Sequence, residues 1–474
     1  MRRRARLTIA AALALLAACT VGPDYRRPAV SVPAAYKELP GWKTATPRDG
    51  TAGPWWRVYG DPDLDRLVAA LPDANQDLRA AEARHRQAMA VLAQNRAAWS
   101  PTVGADGALS HAQDASVSGF SATPRTTTRL ELTASWELDL WGRIRRLVEA
   151  GAASEQASAA DYAAALLSAQ GTLVSTYLAL RANEADERLL RDAVAAYERA
   201  LEITRNRYRA GVVSRLDVAQ AETQLKATRA QAIDQAASRA QLEHAIALLL
   251  GRAPADFSLA RTAALPPLPA IPAALPSALL ERRPDIAAAE RRAAAANANI
   301  GVAKAAYFPT LSLGGAAGVQ SVGFADLLAV PARFWSVGPT LAGTLFDGGL
   351  RRARTREAEA AYDAAVANYR QTVLAGFSEI EDQLASLRVL ADEAIAQAEA
   401  VAAARQALDV AMRQYQAGTE SYLTVVVAQT NLLNASRTAL AITARRLAAS
   451  ATLARALGGD WRAEAIARAG FAPF

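Results

Sequence analysis

Slid along itself by about 207 residues, this sequence meets itself again and again. Asp77, Leu78 and Glu82 match Asp285, Ile286 and Glu290. The run Ala97-Ala98-Trp99-Ser100-Pro101-Thr102 matches Ala305-Ala306-Tyr307-Phe308-Pro309-Thr310. Leu140, Gly142, Arg145 and Arg146 match Phe346, Gly348, Arg351 and Arg352. Further on, Tyr208, Ala210, Gly211, Leu216 and Val218 match Tyr415, Ala417, Gly418, Leu423 and Val425. A unit of about 200 residues is far longer than a solenoid repeat. The chain therefore reads as one fold made of two similar halves, 63–253 and 284–458. A proline-rich connector, 254–283, joins them; 1–18 and 19–62 come before and a tail, 459–474, after.

Each half predicts a helix, two strands and two long helices. No proline occurs from 125 to 253 or from 340 to 472, and proline breaks helix interiors. Both tracts are rich in Ala, Leu, Arg, Glu and Gln at helical spacing. The first predicts helices over 143–209 and 215–250, interrupted at Gly211; the second, helices over 349–416 and 421–457, interrupted at Gly418. A helix of some 65 residues is a rod about 100 Å long. Ahead of each pair the period drops to two. Over 129–140 the even positions are Leu130, Leu132, Ala134, Trp136, Leu138 and Leu140, and the odd ones are polar. Residues 102–110 alternate more weakly, and 311–319 and 335–345 alternate with apolar residues on odd numbers. Each half thus predicts one β-hairpin, 102–140 and 310–346.

Strands of about ten residues with one apolar and one polar face fit a transmembrane β-barrel, and equally a soluble antiparallel sheet. Four strands cannot close a barrel, and lipid does not tolerate an open sheet edge; in a membrane, closure has to come from several chains. Trp99, Trp141, Tyr307, Phe308 and Phe346 gather where helix meets strand, as an interfacial girdle would.

The N-terminus favours the membrane. Arg2, Arg3, Arg4 and Arg6 precede an apolar stretch, 7–18, too short to span a bilayer. It ends Leu16-Ala17-Ala18-Cys19, the pattern of a lipoprotein signal, and Cys19 is the only cysteine. Cys19 is therefore the expected lipid-attachment site, and Thr20 after it suits outer-membrane sorting. The net charge of +7 owes most to those arginines, so nucleic acid is not an expected partner. Three scattered histidines and one cysteine offer no metal or nucleophile chemistry. No catalytic constellation is visible, no cofactor is expected, and the chain does not read as an enzyme. The scattered Asp and Glu residues read as solvated helix faces.

These features resemble the TolC-like outer membrane efflux proteins, and among them the NodT-type lipoproteins. The resemblance rests on Cys19-Thr20-Val21-Gly22-Pro23-Asp24-Tyr25, on Trp55-Trp56 with Asp61-Pro62, and on Leu280-Glu281-Arg282-Arg283-Pro284-Asp285-Ile286. It rests equally on Ala306-Tyr307-Phe308-Pro309, on Tyr208-Arg209-Ala210-Gly211, on Tyr415-Gln416-Ala417-Gly418 leading to Tyr422-Leu423, and on Gly458-Gly459-Asp460-Trp461. It implies an α+β membrane protein: a homotrimer whose four strands per chain form a 12-strand barrel in the outer membrane, on a periplasmic α-barrel. It implies an outer membrane channel of a tripartite efflux system, passing small molecules such as drugs to the exterior. Its partners would be outer membrane lipid, a periplasmic adaptor and an inner-membrane pump of the resistance-nodulation-division type. A duct for type I protein secretion shares the fold, and a non-channel anchored coiled-coil lipoprotein is the reading from another class.

The hairpin turns would then be periplasmic tips that dock the adaptor: Tyr208, Arg209, Ala210, Gly211, Ser214 and Leu216 on one side, and Tyr415, Gln416, Ala417, Gly418, Tyr422 and Leu423 on the other. Gly211 and Gly418 read first as helix C-caps. Ser214 and Asp217 have capping-box spacing, and Asp217 with Tyr415 is also the candidate gate. Where relatives carry an acid in the last helix, Val427 stands here, which weakens the case for an acidic ring from the second hairpin.

Overall fold

The computed structural model describes residues 20–38, 54–113, 123–262, 264–270, 282–323 and 332–461. Its helices are α1 (Pro62–Ala74), α2 (Gln76–Ala97), α3 (Arg143–Arg209), α4 (Arg215–Leu249), α5 (Pro284–Ala305), α6 (Leu350–Ala417) and α7 (Tyr422–Ala456). Its strands are β1 (Thr102–Ala112), β2 (Arg125–Leu138), β3 (Thr310–Val322) and β4 (Arg333–Ala342). The order α2-β1-β2-α3-α4 recurs as α5-β3-β4-α6-α7. Two compact units divide the chain: 1–29, 84–159 and 288–370 in one, 30–83, 160–287 and 371–474 in the other.

The first unit holds the sheet. The two hairpins do not stay separate. β2 pairs with β3, giving a four-stranded antiparallel sheet in the order β1-β2-β3-β4. The alternation expected through Leu345 stops as strand at Ala342, so Leu345 and Phe346 lie beyond β4. α3 and α6 begin alike: the Asp139 carboxylate accepts from Ile144 N and Arg145 N at 2.9 Å each, and that of Asp347 accepts from Gly349 N at 3.0 Å and Arg351 N at 3.2 Å. Both aspartates take up backbone donors that a helix start leaves unpaired. The segment after Thr20 is tied in residue by residue. Val21 N donates to Trp141 O at 3.1 Å, Asn297 Nδ2 to Pro23 O at 2.9 Å, and the Tyr25 hydroxyl to Glu290 Oε1 at 2.6 Å.

The second unit has a core of the ordinary kind. In α1, Asp61 caps the N-terminus by accepting from Asp63 N at 2.9 Å and Leu64 N at 3.2 Å, and Pro62 starts the helix where no N–H is needed. Leu64, Leu67, Val68 and Leu71 follow at i, i+3, i+4 and i+7, so one stripe is apolar, and all four are buried. They pack with Trp55, Tyr59, Leu173, Tyr177 and Ile246. The Tyr59 hydroxyl meets Ser450 Oγ at 2.8 Å inside this core.

The reading of the acids as solvated faces needs correction. Glu155, Glu184, Glu187 and Glu290 are buried. Arg181, 1% exposed, donates to Glu184 Oε2 at 2.8 Å, to the Tyr177 hydroxyl at 2.9 Å and to Ala260 O at 2.9 Å. Arg239 donates to Glu184 Oε1 at 2.9 Å and to Leu259 O at 2.7 Å, and Glu243 accepts Leu259 N at 2.6 Å. Glu187 pairs with Arg191 and Arg261. A buried carboxylate is tolerated only when paired and hydrogen-bonded. Here the pairing partners also hold residues 259–262 of the connector, which lie in neither helix nor strand.

Candidate functional site

The sheet is inside out by the standard of a soluble protein. Strand register puts Ala105, Leu132, Ala317 and Trp335 in one row, and Val103, Ala134, Gly315 and Val337 in the next. Directly paired residues share a face, so the apolar positions of all four strands form one continuous surface. That surface is bare: Leu132 is 59% exposed and Trp335 78%. The opposite face carries Asp106, Glu131, Thr133 and Arg129. The Glu131 side chain is only 15% exposed and is paired with Arg129, whose guanidinium lies 4.9 Å from the centre of the Phe334 ring. Gly318 lets the strands close there, since a Cβ on it would stand 2.2 Å from Leu130 O. A half-wet sheet in water shows the reverse pattern, apolar side covered and polar side out. A large bare apolar patch marks a surface that meets lipid or protein.

The aromatic residues collect at the end of the sheet where β1 and β3 begin and β2 and β4 end. Trp141 stacks on Phe308 with ring centres 4.8 Å apart, and its indole N–H donates to Pro309 O at 2.8 Å. The Trp136 indole N–H donates to Trp99 O at 2.9 Å. Amphipathic rings with a satisfied polar end suit the boundary between lipid and water. Phe346 belongs to the same end but is 89% exposed, and Leu345 beside it is 99% exposed.

The hairpin turns lie in the second unit. Gly211 has φ 74° and Gly418 φ 81°, the left-handed conformation that glycine enters without a Cβ penalty. Each closes its helix in the same way. Val212 N donates to Arg207 O and Gly211 N to Tyr208 O, both at 2.9 Å. Thr419 N donates to Gln414 O at 3.0 Å and Gly418 N to Tyr415 O at 3.1 Å. These are Schellman closures. After the first turn a full capping box starts α4: Asp217 Oδ2 accepts from Ser214 N at 2.8 Å and Ser214 Oγ at 2.7 Å. After the second turn Ser421 makes no side-chain cap, and Glu420 takes the Thr424 hydroxyl at 3.1 Å instead.

The expected site residues fall into two sets. Tyr208, Arg209, Ala210, Gly211, Ser214, Leu216, Gln416, Ala417, Gly418 and Leu423 are exposed. With Val212 and Val427, Leu216 and Leu423 leave apolar side chains uncovered at the turns. Tyr415 and Tyr422 instead are buried, edge to face at 5.2 Å, among Leu201, Val218 and Val425. Burial pushes the Tyr422 phenol above its ordinary range. The Tyr415 hydroxyl donates to Thr204 Oγ1 at 3.2 Å, whereas the Asp217 carboxylate is engaged in its cap. The two candidate gate residues are thus not paired with each other. Nearby, Arg205 donates to Glu222 at 2.7 Å and holds that carboxyl below its usual range. Sequence reasoning passed over Arg207, which donates to Tyr415 O at 2.6 Å and Gln416 O at 2.9 Å. Its repeat mate is Gln414, and that mismatch was the available signal. Cys19, the expected lipid site, lies outside the described residues.

The outer membrane efflux protein family profile matches residues 67–252 and 275–459, one segment for each half. This chain belongs to the outer membrane efflux protein family. It is 30% identical over 461 residues to the toluene efflux pump outer membrane protein TtgC of Pseudomonas putida, covering 96% of this chain and 95% of that protein. To the pyoverdine export outer membrane protein OpmQ of Pseudomonas putida it is 33% identical over 442 residues, 90% of this chain and 93% of that one. Among solved structures the outer-membrane channel OprN superposes with a TM-score of 0.88 at 32% identity, covering 93% of this chain and 99% of that chain. The protein is thus an outer membrane efflux channel, and the outer membrane is its place. That sets aside the non-channel coiled-coil reading.

Proposed function

We propose that three copies close their sheets into one 12-strand barrel in the outer membrane, through which small molecules such as drugs leave the cell. The observation that carries this is the sheet itself: four strands, bare on their apolar face, with β1 and β4 each unpaired along one edge among the described residues. Lipid can cover the face but not the edges, so the edges take further copies of the same strands. On this reading Cys19 carries the lipid anchor, the exposed turns around Gly211 and Gly418 receive a periplasmic adaptor, and an inner-membrane pump of the resistance-nodulation-division type supplies the energy. Asp217 and Tyr415 act near the closable mouth, each through its own hairpin.

The duplication also supplies the register of the seam. Thr102 pairs with Ser135, and its repeat mate Thr310 pairs with Ala342. Ser135 therefore corresponds to Ala342, and Leu138 to Leu345, one residue off the match read from Leu140 and Phe346. Within the chain Leu138 faces Leu311, whose mate is Val103. Repeating that joint around a ring sets Leu345 opposite Val103 of the partner subunit, which covers the two most exposed leucine and valine side chains of the sheet end. It also keeps apolar faces on one side, because Val103 lies on that face and Leu345, continued in the register of β4, has the same parity.

The test is a pair of cysteines, Leu345→Cys with Val103→Cys, in the full-length protein. Oxidation should link copies into covalent dimers and trimers on a non-reducing gel. Linkage absent in a protein that is still trimeric by light scattering would overturn the register. A monodisperse monomer with full β content would overturn the barrel. Mass spectrometry of the mature N-terminus checks Cys19 separately; an unmodified chain that begins elsewhere removes the anchor.

A further inference from the structure

We propose that Arg129 is a specificity-determining residue of the barrel wall: it plugs an organic-cation site formed by Glu131 and Phe334, so that such a cation is not held as it passes. The proposal rests on the barrel reading above, which turns the polar face of the sheet toward the lumen. The site is complete within one chain and needs no residue of a partner subunit.

The polar face is built mostly from small and hydroxyl side chains, as in the row Gly104, Thr133, Ala316 and Ser336. The next row toward the loops departs from that pattern. It holds Asp106, Glu131, Gly318 and Phe334. Asp106 and Glu131 are direct cross-strand partners, a pairing of like charges that a sheet does not favour. Phe334 is the one aromatic residue on this face of the four strands among the described residues. Arg129, two residues before Glu131 on the same face of β2, is the one cation in this row and the two beside it.

A carboxylate beside an aromatic face is the chemistry that holds an organic cation, by charge from the first and by the ring quadrupole from the second. Here the protein supplies the cation itself. The Arg129 guanidinium is paired with Glu131 and lies 4.9 Å from the centre of the Phe334 ring. Gly318, between Glu131 and Phe334 in the row, puts no side chain in the way. Glu131 is thereby nearly covered on a face that is otherwise open, while Asp106 takes only the Thr133 hydroxyl at 3.4 Å. Conduction needs binding weak enough to let the passing molecule leave. A side chain fixed to the wall competes with any free cation at a high effective concentration. Two acids and one base still leave the row net negative, so cations are attracted there without being retained.

The experiment records single channels of the purified full-length protein in a planar bilayer, with benzyltrimethylammonium added on the loop side. The informative variant is Asp106→Asn with Arg129→Gln. It removes the plug and keeps the net charge of the row, and it also removes the like-charge partner that would otherwise strain the sheet. Benzyltrimethylammonium should block this variant at a concentration about tenfold lower than it blocks the parent, or lower still. Potassium-over-chloride selectivity should be unchanged. Adding Phe334→Leu should abolish the extra block. Arg129→Lys, the mildest change, should give an intermediate block, because an ammonium meets the carboxylate but covers the ring less well than a planar guanidinium. A double variant blocked no more than the parent would overturn the proposal, and so would a block that survives Phe334→Leu. If the double variant does not assemble, parent-like sensitivity in Arg129→Lys overturns it as well. The barrel reading has its own check. Ala316→Cys modified with a positively charged methanethiosulfonate should lower conductance; no change there would mean that this face lines no lumen, and the barrel reading would fail first.

Discussion

The two halves of this chain share an order of elements and differ in how each is fastened. In the first half Trp141 is stacked on Phe308 and bonded to Pro309 O. At the corresponding joint of the second half Phe346 stands in the open. Arg146 of the first half is buried against residues 21–24, while its mate Arg352 is exposed. Arg207 bolts α6, whereas Gln414 bolts nothing equivalent among the described residues. Ser214 and Asp217 form a capping box that Ser421 and Thr424 do not. At the first three of these places the first-half residue is satisfied within its own chain and its second-half counterpart is exposed; at the last, Glu420 takes the Thr424 hydroxyl instead. A duplicated chain arranged in a ring has joints of two kinds, half made inside a copy and half between copies. The sequence differences between the halves fall where that distinction matters.

The largest test of this asymmetry is at the strand ends. Trp141→Ala removes a stacked ring and a satisfied indole and should cost about 3 kcal/mol in thermal unfolding followed by circular dichroism. Phe346→Ala in the separated chain should change stability by no more than about 0.5 kcal/mol, as exposed positions usually do. In the assembled protein, however, Phe346→Ala should weaken subunit association, measured as the detergent or heat needed to dissociate the oligomer. Equal costs for both substitutions in the separated chain would break the comparison.

That asymmetry also bears on what could be read from the sequence. The outline of the fold was legible because side-chain parity survives in β2, where Leu130, Leu132 and Trp136 alternate with charged and hydroxyl residues. β1 was harder, since Gly104, Ala105, Gly107 and Ala108 carry little hydropathy to alternate. The β2–β3 pairing was invisible for another reason: it joins segments some 180 residues apart, and nothing local encodes it. β4 was read too long because Leu345 keeps the period, while the strand needs a neighbour beyond Ala342 that a single chain does not provide. The buried glutamates escaped because burial of a charge depends on all its partners: Arg181 lies three residues from Glu184 on α3, but Arg239 reaches it from α4, 55 residues away. At the tips the glycines and the capping box followed from local rules. The contacts of Arg207 did not, because its acceptors are backbone carbonyls, which residue type does not mark; only the mismatch with Gln414 set it apart.

The second test concerns the N-terminal segment. Arg146 donates to Val21 O at 3.3 Å, Gly22 O at 3.4 Å, Asp24 Oδ1 at 2.8 Å and Glu149 Oε2 at 2.8 Å. Arg146→Ala leaves no carboxylate stranded in the interior, since the Asp24 and Glu149 side chains are both well exposed. The cost should therefore be the lost charge-assisted bonds, about 2 kcal/mol, rather than the larger penalty of an orphaned buried charge. Residues 21–24 should become accessible to protease in the same variant. Arg352→Ala should do neither, and if it matched Arg146→Ala the two halves would be fastened alike.

The smallest effect is the most local and separates the tips most cleanly. Ser214 Oγ accepts from Asp217 N at 3.3 Å while Asp217 returns a carboxylate to Ser214 N, so both orphan donors at the start of α4 are satisfied. In the second half the mates are Ser421 and Thr424, whose hydroxyls lie 3.4 Å apart, and Ser421 caps nothing. Ser214→Ala should thus cost about 1 kcal/mol and Ser421→Ala almost nothing. The sharper variant is Thr424→Asp, which writes the first-half box into the second half. A carboxylate there can reach back to Ser421 N, and it also sits at the positive end of α7. The variant should gain a few tenths to about 1 kcal/mol and slow amide exchange over 421–425. Its effect on conductance should be small, because the cap acts within one hairpin and joins no two tips. A large fall in conductance would mean that this position faces charge from a neighbouring copy and acts at the mouth rather than only within its own hairpin.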